Sequence, residues 1–129
     1  MKMNFDCMRD VLLWLELNLP TEFIAVGGKT GTNDSNKCTI GNLKEAMSQY
    51  SSEEVCYACE KLVELEFIKS TDMLAYGTFV AITAAGHQFL ANIHNAERWG
   101  QIKEAIGSEE LLSIGNIEQV STALLFGSL

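Results

Sequence analysis

The sequence has few basic side chains, a single proline and no long apolar run. Nine Lys and Arg oppose 17 Asp and Glu among the 129 residues, so the net charge is −8. Because an acidic surface repels phosphate groups, this balance argues against a general nucleic-acid binder. The longest apolar run, residues 11–15, ends at Glu16 and falls far short of the roughly 20 residues that a membrane helix needs. We therefore expect an acidic protein of the cytoplasm that is not bound to a membrane.

A secretory signal is not expected at the start of the chain. Asp6, Arg9 and Asp10 interrupt the first apolar segment, which is untypical of a signal peptide. The four cysteines are therefore expected to stay reduced, as thiols do in the cytosol. With 47 % hydrophobic residues the chain can bury one core, and we predict a single domain over residues 1–129.

Apolar periodicity predicts a mostly helical fold of the α+β class. A first helix is expected from Met3 to Leu19, because apolar residues recur at helical spacing and Pro20 then ends the segment. Residues 20–39 are rich in Gly, Asn, Asp, Ser and Thr, which predicts a flexible loop. Residues 38–40 are expected to form a short strand.

Two more helices are expected in the first half of the chain. The second is short, from Asn42 to Ser48, with Asn42 as its N-cap. The third has an N-cap at Ser51 or Ser52, glutamates in its first turn and an end near Glu66. Its apolar spacing predicts a buried stripe. The residues of that stripe are Val55, Cys59, Leu62 and Val63.

The pattern then changes to strands and returns to helices. Residues 67–74 and 76–82 are two β-prone runs, which predict a hairpin. A long fourth helix is expected from Thr83 to Ile106, with Gly107 as its C-cap. An appended helix is expected over residues 108–127, capped by Ser108.

A helix, a short strand, two helices and a two-stranded hairpin, in the order predicted here, are the element order of a winged helix. Residues 82–90 read Ile-Thr-Ala-Ala-Gly-His-Gln-Phe-Leu, and Trp99 follows nine residues later. Together with residues 8–13, 50–55 and 65–68, this block resembles the small winged-helix-like family of phages and prophages catalogued as domain of unknown function 2513. The resemblance implies a phage or prophage protein acting in a bacterial host cell. It implies no reaction. The element order and the chain length predict a winged-helix-like domain with a β-hairpin wing and extra C-terminal helices.

The third helix is the element that would enter a DNA groove in a winged helix. Recognition helices carry residues such as Arg, Lys and Asn, which neutralise phosphates and read base edges. The outward face predicted here is acidic instead, and in the wing Asp72 partly offsets Lys69. We interpret this face either as a solvated surface or as a binding surface for a basic protein. Its residues are Glu53, Glu54, Tyr57, Glu60, Lys61 and Glu64.

Two short patterns each match only part of a phosphate-binding, zinc or redox motif. The triplet at residues 28–30, Gly-Lys-Thr, lacks the earlier glycine of a phosphate loop, because Phe23 occupies that position. Cys56 and Cys59 have the spacing of a zinc or redox pair, but they are expected inside a helix. Buried, inert thiols are the simpler interpretation of this pair.

The remaining chemistry-bearing residues do not form a recognisable catalytic set. His87 and His94 are seven residues apart, about 10 Å along a helix, which is too far to share one metal ion. The sequence contains no Gly-x-Ser-x-Gly elbow for a nucleophile. We therefore expect no catalytic, cofactor or metal site, and we predict that the protein is not an enzyme.

The first helix has more apolar residues than one buried stripe needs. Leu13, Trp14 and Leu17 lie off the main stripe. This excess indicates either a helix that is buried on more than one side or a surface for self-association, which would make the protein a homodimer.

Charge and resemblance together favour a non-catalytic accessory protein that acts by binding another macromolecule. The first hypothesis is an acidic, protein-binding inhibitor or regulator of a host nucleic-acid-handling or defence system, in an anti-CRISPR-like or nucleic-acid-mimic role. Its partner would be a host or phage protein with a basic nucleic-acid-binding surface, contacted by the third helix. The alternative is a winged-helix transcription regulator that binds DNA.

Overall fold

The computed structural model describes residues 2–19, 40–70 and 79–125, and it contains six α-helices and one small sheet in these ranges. The chain divides into two compact units, Met1–His87 and Gln88–Leu129. The loop predicted at residues 20–39 lies outside the described residues, and the single domain over residues 1–129 stays a prediction. None of the described helices combines the length and the apolar content that crossing a bilayer would require.

The fold is mostly helical with a two-stranded antiparallel sheet, as predicted, but the order of its elements differs from the prediction in part. The first unit contains three helices, a hairpin and the start of a fourth helix; the second contains the rest of that helix and two more. In chain order the elements are α1 (Phe5–Asn18), α2 (Ile40–Ala46), α3 (Ser52–Glu64), β1 (Ile68–Ser70), β2 (Phe79–Ile82), α4 (Ala84–Ile93), α5 (Ala96–Ile106) and α6 (Ile114–Leu125).

Helix α1 is the central helix of the first unit, since it packs on α3 and also contacts β2. Its N-cap is Asn4, whose side chain accepts a hydrogen bond from the Cys7 N–H. The predicted helix from Met3 to Leu19 is thus confirmed to within two residues. Its buried residues are Cys7, Met8, Val11, Leu12 and Leu15.

Helix α2 differs from its prediction at the start. It begins at Ile40, so Asn42 lies inside the helix and the predicted N-cap there is wrong. Ile40 is helical and buried, which contradicts the predicted strand at this residue; residues 38 and 39 lie outside the described ranges. Leu43 and Met47 are buried, in agreement with the apolar pattern of this segment, whereas Ala46 is exposed.

Helix α3 begins and ends with local hydrogen-bond motifs. Ser51 is its N-cap in a complete capping box with Glu54, which confirms the predicted start. At the C-terminus, the N–H groups of Glu66 and Phe67 donate to the carbonyls of Val63 and Leu62. This is a Schellman motif, and Glu66 occupies its left-handed position with φ 61°. The buried residues of α3 are Val55, Ala58, Cys59 and Leu62.

The predicted hairpin is present as an antiparallel pair of short strands. Ile68 pairs with Ile82 and Lys69 with Ala81, and the register is irregular before the next pair. Ile68, Ala81 and Ile82 are buried, while Lys69 is exposed. The turn predicted near residue 75 lies outside the described residues. The hairpin packs on the helices of the first unit, since β1 contacts α3 and β2 contacts α1.

Thr83 and Gly86 join the hairpin to the start of α4. The Thr83 hydroxyl donates to the Glu66 carbonyl at 2.5 Å and accepts from the Gly86 N–H at 3.0 Å. The Thr83 N–H donates to the Phe67 carbonyl. Gly86 lies against that same carbonyl, so closely that a Cβ would overlap it. Thr83 thus caps α4 while it holds the helix start against the end of α3.

The long fourth helix predicted from Thr83 to Ile106 is wrong, because the structure divides it into α4 and α5. Asn95 causes the break. Its backbone is extended (φ −74°, ψ 125°), and its side chain accepts from the Arg98 N–H as the N-cap of α5. Gly107 is the left-handed C-cap of α5 with φ 81°, as predicted.

The last helix begins later than predicted. A single 3-10 turn, Glu109–Leu111, precedes α6, so the prediction of one helix over residues 108–127 with Ser108 as its cap is wrong. The Ser113 hydroxyl accepts from the Asn116 N–H at 3.1 Å and provides the cap instead. In the second unit α5 packs on α6. The buried residues of these two helices are Trp99, Ile102, Ile117 and Ser121.

Candidate partner-binding face

The candidate site is the outward side of α3, opposite its buried stripe. We call the set Glu53, Glu54, Tyr57, Glu60, Lys61 and Glu64 the α3 face. Glu53, Glu60 and Glu64 are exposed, and the other three are partly buried. The capping box and the buried stripe set the rotation of α3, because they place one side in the core and the opposite side in solvent. The structure therefore brings all six predicted residues onto one helix surface.

Glu54 differs from the other members because its carboxylate is used within the protein. One oxygen accepts from the Asn4 side-chain amide at 2.8 Å, and the other accepts from the Ser51 N–H at 3.1 Å. These hydrogen bonds, the one from Asn4 foremost, lower the pKa of Glu54 below its ordinary value. We conclude that Glu54 serves the fold and connects the N-terminal ends of α1 and α3.

Sequence reasoning missed the role of Asn4 in this connection. Asn4 caps α1 through its side-chain oxygen and donates to Glu54 through its side-chain nitrogen. The capping part had a sequence signal, since an Asn precedes the first helical turn. The contact between Asn4 and Glu54 had none, because the two residues are 50 positions apart.

Lys61 reduces the negative charge at the C-terminal end of the α3 face. Its Nζ donates to Glu64 at 3.0 Å and lies 5.3 Å from the centroid of the Tyr57 ring. The hydrogen bond to Glu64 raises the pKa of Lys61. Lys61 therefore covers one side of an aromatic ring and pairs with one carboxylate, in a cation–π and ion-pair arrangement.

Glu53 and Glu60 supply the free negative charge of the α3 face. Within the part of the chain that the structure describes, no hydrogen bond or ion pair engages either carboxylate. Lys69 of β1 is exposed, and Asp72, the other charged residue predicted in the wing, lies outside the described residues. Among the described residues, the α3 face therefore has two unpaired carboxylates, two carboxylates engaged in hydrogen bonds (Glu54 and Glu64), one lysine and one tyrosine.

A second polar contact holds the segment before α3 against α1. The Tyr50 hydroxyl donates to an Asp10 carboxylate oxygen at 2.6 Å, and an Arg9 nitrogen lies 3.8 Å from the other oxygen of Asp10. Burial and this hydrogen bond raise the pKa of Tyr50. Asp10 thus keeps the N-terminal approach to α3 in place, and with it the α3 face.

The described cysteines are separate thiols rather than a disulfide. Cys7 and Cys59 are buried and Cys56 is partly buried. Burial raises the pKa of Cys7 and of Cys59 to about 12 in each case. Among the described residues, no three His, Cys, Asp or Glu side chains come together as metal ligands would. Cys38 lies outside the described ranges, as do residues 28–30.

The other singled-out residues are on or next to other helices. His87 and His94 are both exposed, the first in the opening turn of α4 and the second just after its end. In α1, Leu13 and Trp14 are partly buried and Leu17 is 83 % exposed. Leu17 therefore leaves apolar surface in solvent, whereas Leu13 and Trp14 do so only in part.

Comparison with known protein families assigns the chain to one family. A family model described as "Hypothetical protein (DUF2513)" matches residues 2–111, most of the sequence. The chain belongs to the domain of unknown function 2513 family. No curated protein and no solved structure matches it. The match confirms the predicted membership of the domain of unknown function 2513 family, and it ends before α6.

The block that carried the resemblance to the DUF2513 family has a structural role in this chain. Thr83 and Gly86, within residues 82–90, form the junction at which the start of α4 meets the end of α3. Phe89 and Leu90 follow on α4 and are buried. Hydrogen bonding and close packing thus explain the Thr, the Gly and the two apolar residues, whereas His87 is exposed and has no such role.

Proposed function

We propose that this DUF2513 protein is a non-catalytic accessory protein of a phage or prophage, which acts in the cytoplasm of a bacterial host by binding another protein. Its partner is a host or phage protein with a basic, nucleic-acid-binding surface, and binding inhibits or regulates a host nucleic-acid-handling or defence system. The contact surface is the α3 face, with Tyr57 near its centre and Glu53, Glu60 and Glu64 around it. No cofactor or metal takes part.

The position of the exposed carboxylates carries this proposal. The first unit has three helices followed by a hairpin. In a winged helix, the third helix is the element that faces a DNA groove, and here that helix is α3. Here Glu53 and Glu60 are exposed, and in the described ranges no hydrogen bond or ion pair engages their carboxylates. They would repel a duplex at its closest approach, but they complement a surface that itself binds nucleic acid.

The composition of the α3 face also suits a protein interface. Tyrosine is enriched in interface cores, where its ring supplies contact area and its hydroxyl a hydrogen bond. Within the protein, the Lys61 Nζ already makes a cation–π contact with the Tyr57 ring, 5.3 Å from the ring centroid. An arginine of a basic partner can make the same contact, and the surrounding carboxylates steer its approach.

The proposal is tested by reversing charge on the α3 face. The double variant E60K/E64K is compared with E104K/E118K, which makes the same charge change at exposed positions of α5 and α6. Each tagged protein is used to capture partners from a host lysate, and bound proteins are identified by mass spectrometry. We expect wild type and E104K/E118K to retain one basic partner. We expect E60K/E64K to lose at least about tenfold in affinity, since opposed like charges cost several kcal/mol.

Equal capture by the two variants would count against the α3 face as the contact surface. The alternative function, a DNA-binding transcription regulator, is tested by titrating the protein into duplex DNA over a range of salt concentrations. Binding at low salt that weakens steeply as salt increases would favour the regulator. We expect no binding even at low salt.

A further inference from the structure

We draw no further inference here: the strongest candidate, the apolar patch of Leu13, Trp14 and Leu17 on the C-terminal half of α1, carries none because nothing in the structure shows what covers it.

Discussion

The fold requires a residue without a side chain at position 86, and Gly86 meets this requirement. A Cβ at this position would overlap the Phe67 carbonyl and lie 2.8 Å from Cγ2 of Ile82. We expect Gly86→Ala to lower the free energy of unfolding by about 1–3 kcal/mol, the usual cost of overpacking. Urea unfolding followed by circular dichroism measures this change. The effect arises from the close approach of two backbones.

Gly100→Ala is the matched control for this substitution. Gly100 lies inside α5, and a Cβ there would meet no atom within 4 Å. Since alanine favours helix over glycine, we expect this variant to gain about 0.5–1 kcal/mol. Losses of equal size in both variants would show that the junction at Gly86 is not tightly packed.

The buried thiols lead to a second prediction at the residue scale. A pKa raised from 9.0 to about 12 lowers the thiolate fraction of Cys7 and Cys59 at pH 8 by about 1,000-fold, and the thiolate is the reactive form. We expect iodoacetamide to leave both residues unmodified in the folded protein at pH 8 and to modify both in urea. Peptide mass spectrometry locates the modified residues.

Cys56 provides an internal comparison for this experiment. It lies one turn before Cys59 on α3 but is only partly buried. We expect Cys56 to be alkylated in the folded protein before Cys59. Alkylation of Cys59 at the same rate would mean that α3 opens on the timescale of the reaction.

At the scale of elements, the polar contact between Asn4 and Glu54 links the starts of α1 and α3. The pKa of Glu54 is lower in the folded protein than its ordinary value of 4.5, chiefly because Asn4 donates to the carboxylate. The stabilisation that Glu54 provides is therefore present above about pH 4.5, and it is lost as the pH falls through the lowered pKa of the folded protein.

Glu54→Gln should remove this dependence on pH. The variant keeps the size of the side chain but loses its charge, so we expect it to be less stable than wild type at pH 7. The difference should shrink as the pH falls toward 3, because wild type then loses the same interaction; thermal unfolding at several pH values measures it. Glu53→Gln is the control, with the same charge change in the same turn but outside the capping box. Indistinguishable pH profiles for the two variants would contradict the role assigned to Glu54.

The elements also show what a sequence can and cannot predict. The start of α3 was predictable, because Ser51 and Glu54 cap it with residues that are adjacent in sequence. The break at Asn95 was not, because neither proline nor glycine marks it and the apolar pattern continues across it. The start of α6 was misplaced because Ser108 and Ser113 are both plausible caps, and only packing chooses between them.

For the candidate site, the outward positions were predictable from the sequence but the contacts of the side chains were not. Which side of α3 faces outward follows from helical spacing, and Glu53, Glu60 and Glu64 are exposed on that side. Which of them are available to a partner depends on contacts across the fold. The engagement of Glu54 by Asn4 is such a contact, and a sequence pattern limited to one helix does not contain it.

At the scale of the whole molecule, the distribution of charge matters more than its total. A net charge of −8 makes DNA binding unfavourable at any surface, whereas carboxylates on α3 oppose it at one place. These two causes can be separated by comparing variants that have the same net charge but carry their added lysines at different positions. Reversing three glutamates changes the net charge from −8 to −2 wherever they are located.

We therefore expect E53K/E60K/E64K to acquire duplex DNA binding at low salt, because lysines then occupy the side of α3 that would face the groove. Fluorescence anisotropy of a labelled duplex measures it, and each lysine that contacts a phosphate adds up to about 0.9 to the slope of log affinity against log salt. E104K/E110K/E118K has the same net charge, with the lysines at exposed positions after residue 100, and should not bind. Equal affinity of the two variants, including none in either, would mean that α3 does not occupy a DNA-facing position. The inference from its acidic face to a basic partner would then lose its structural basis.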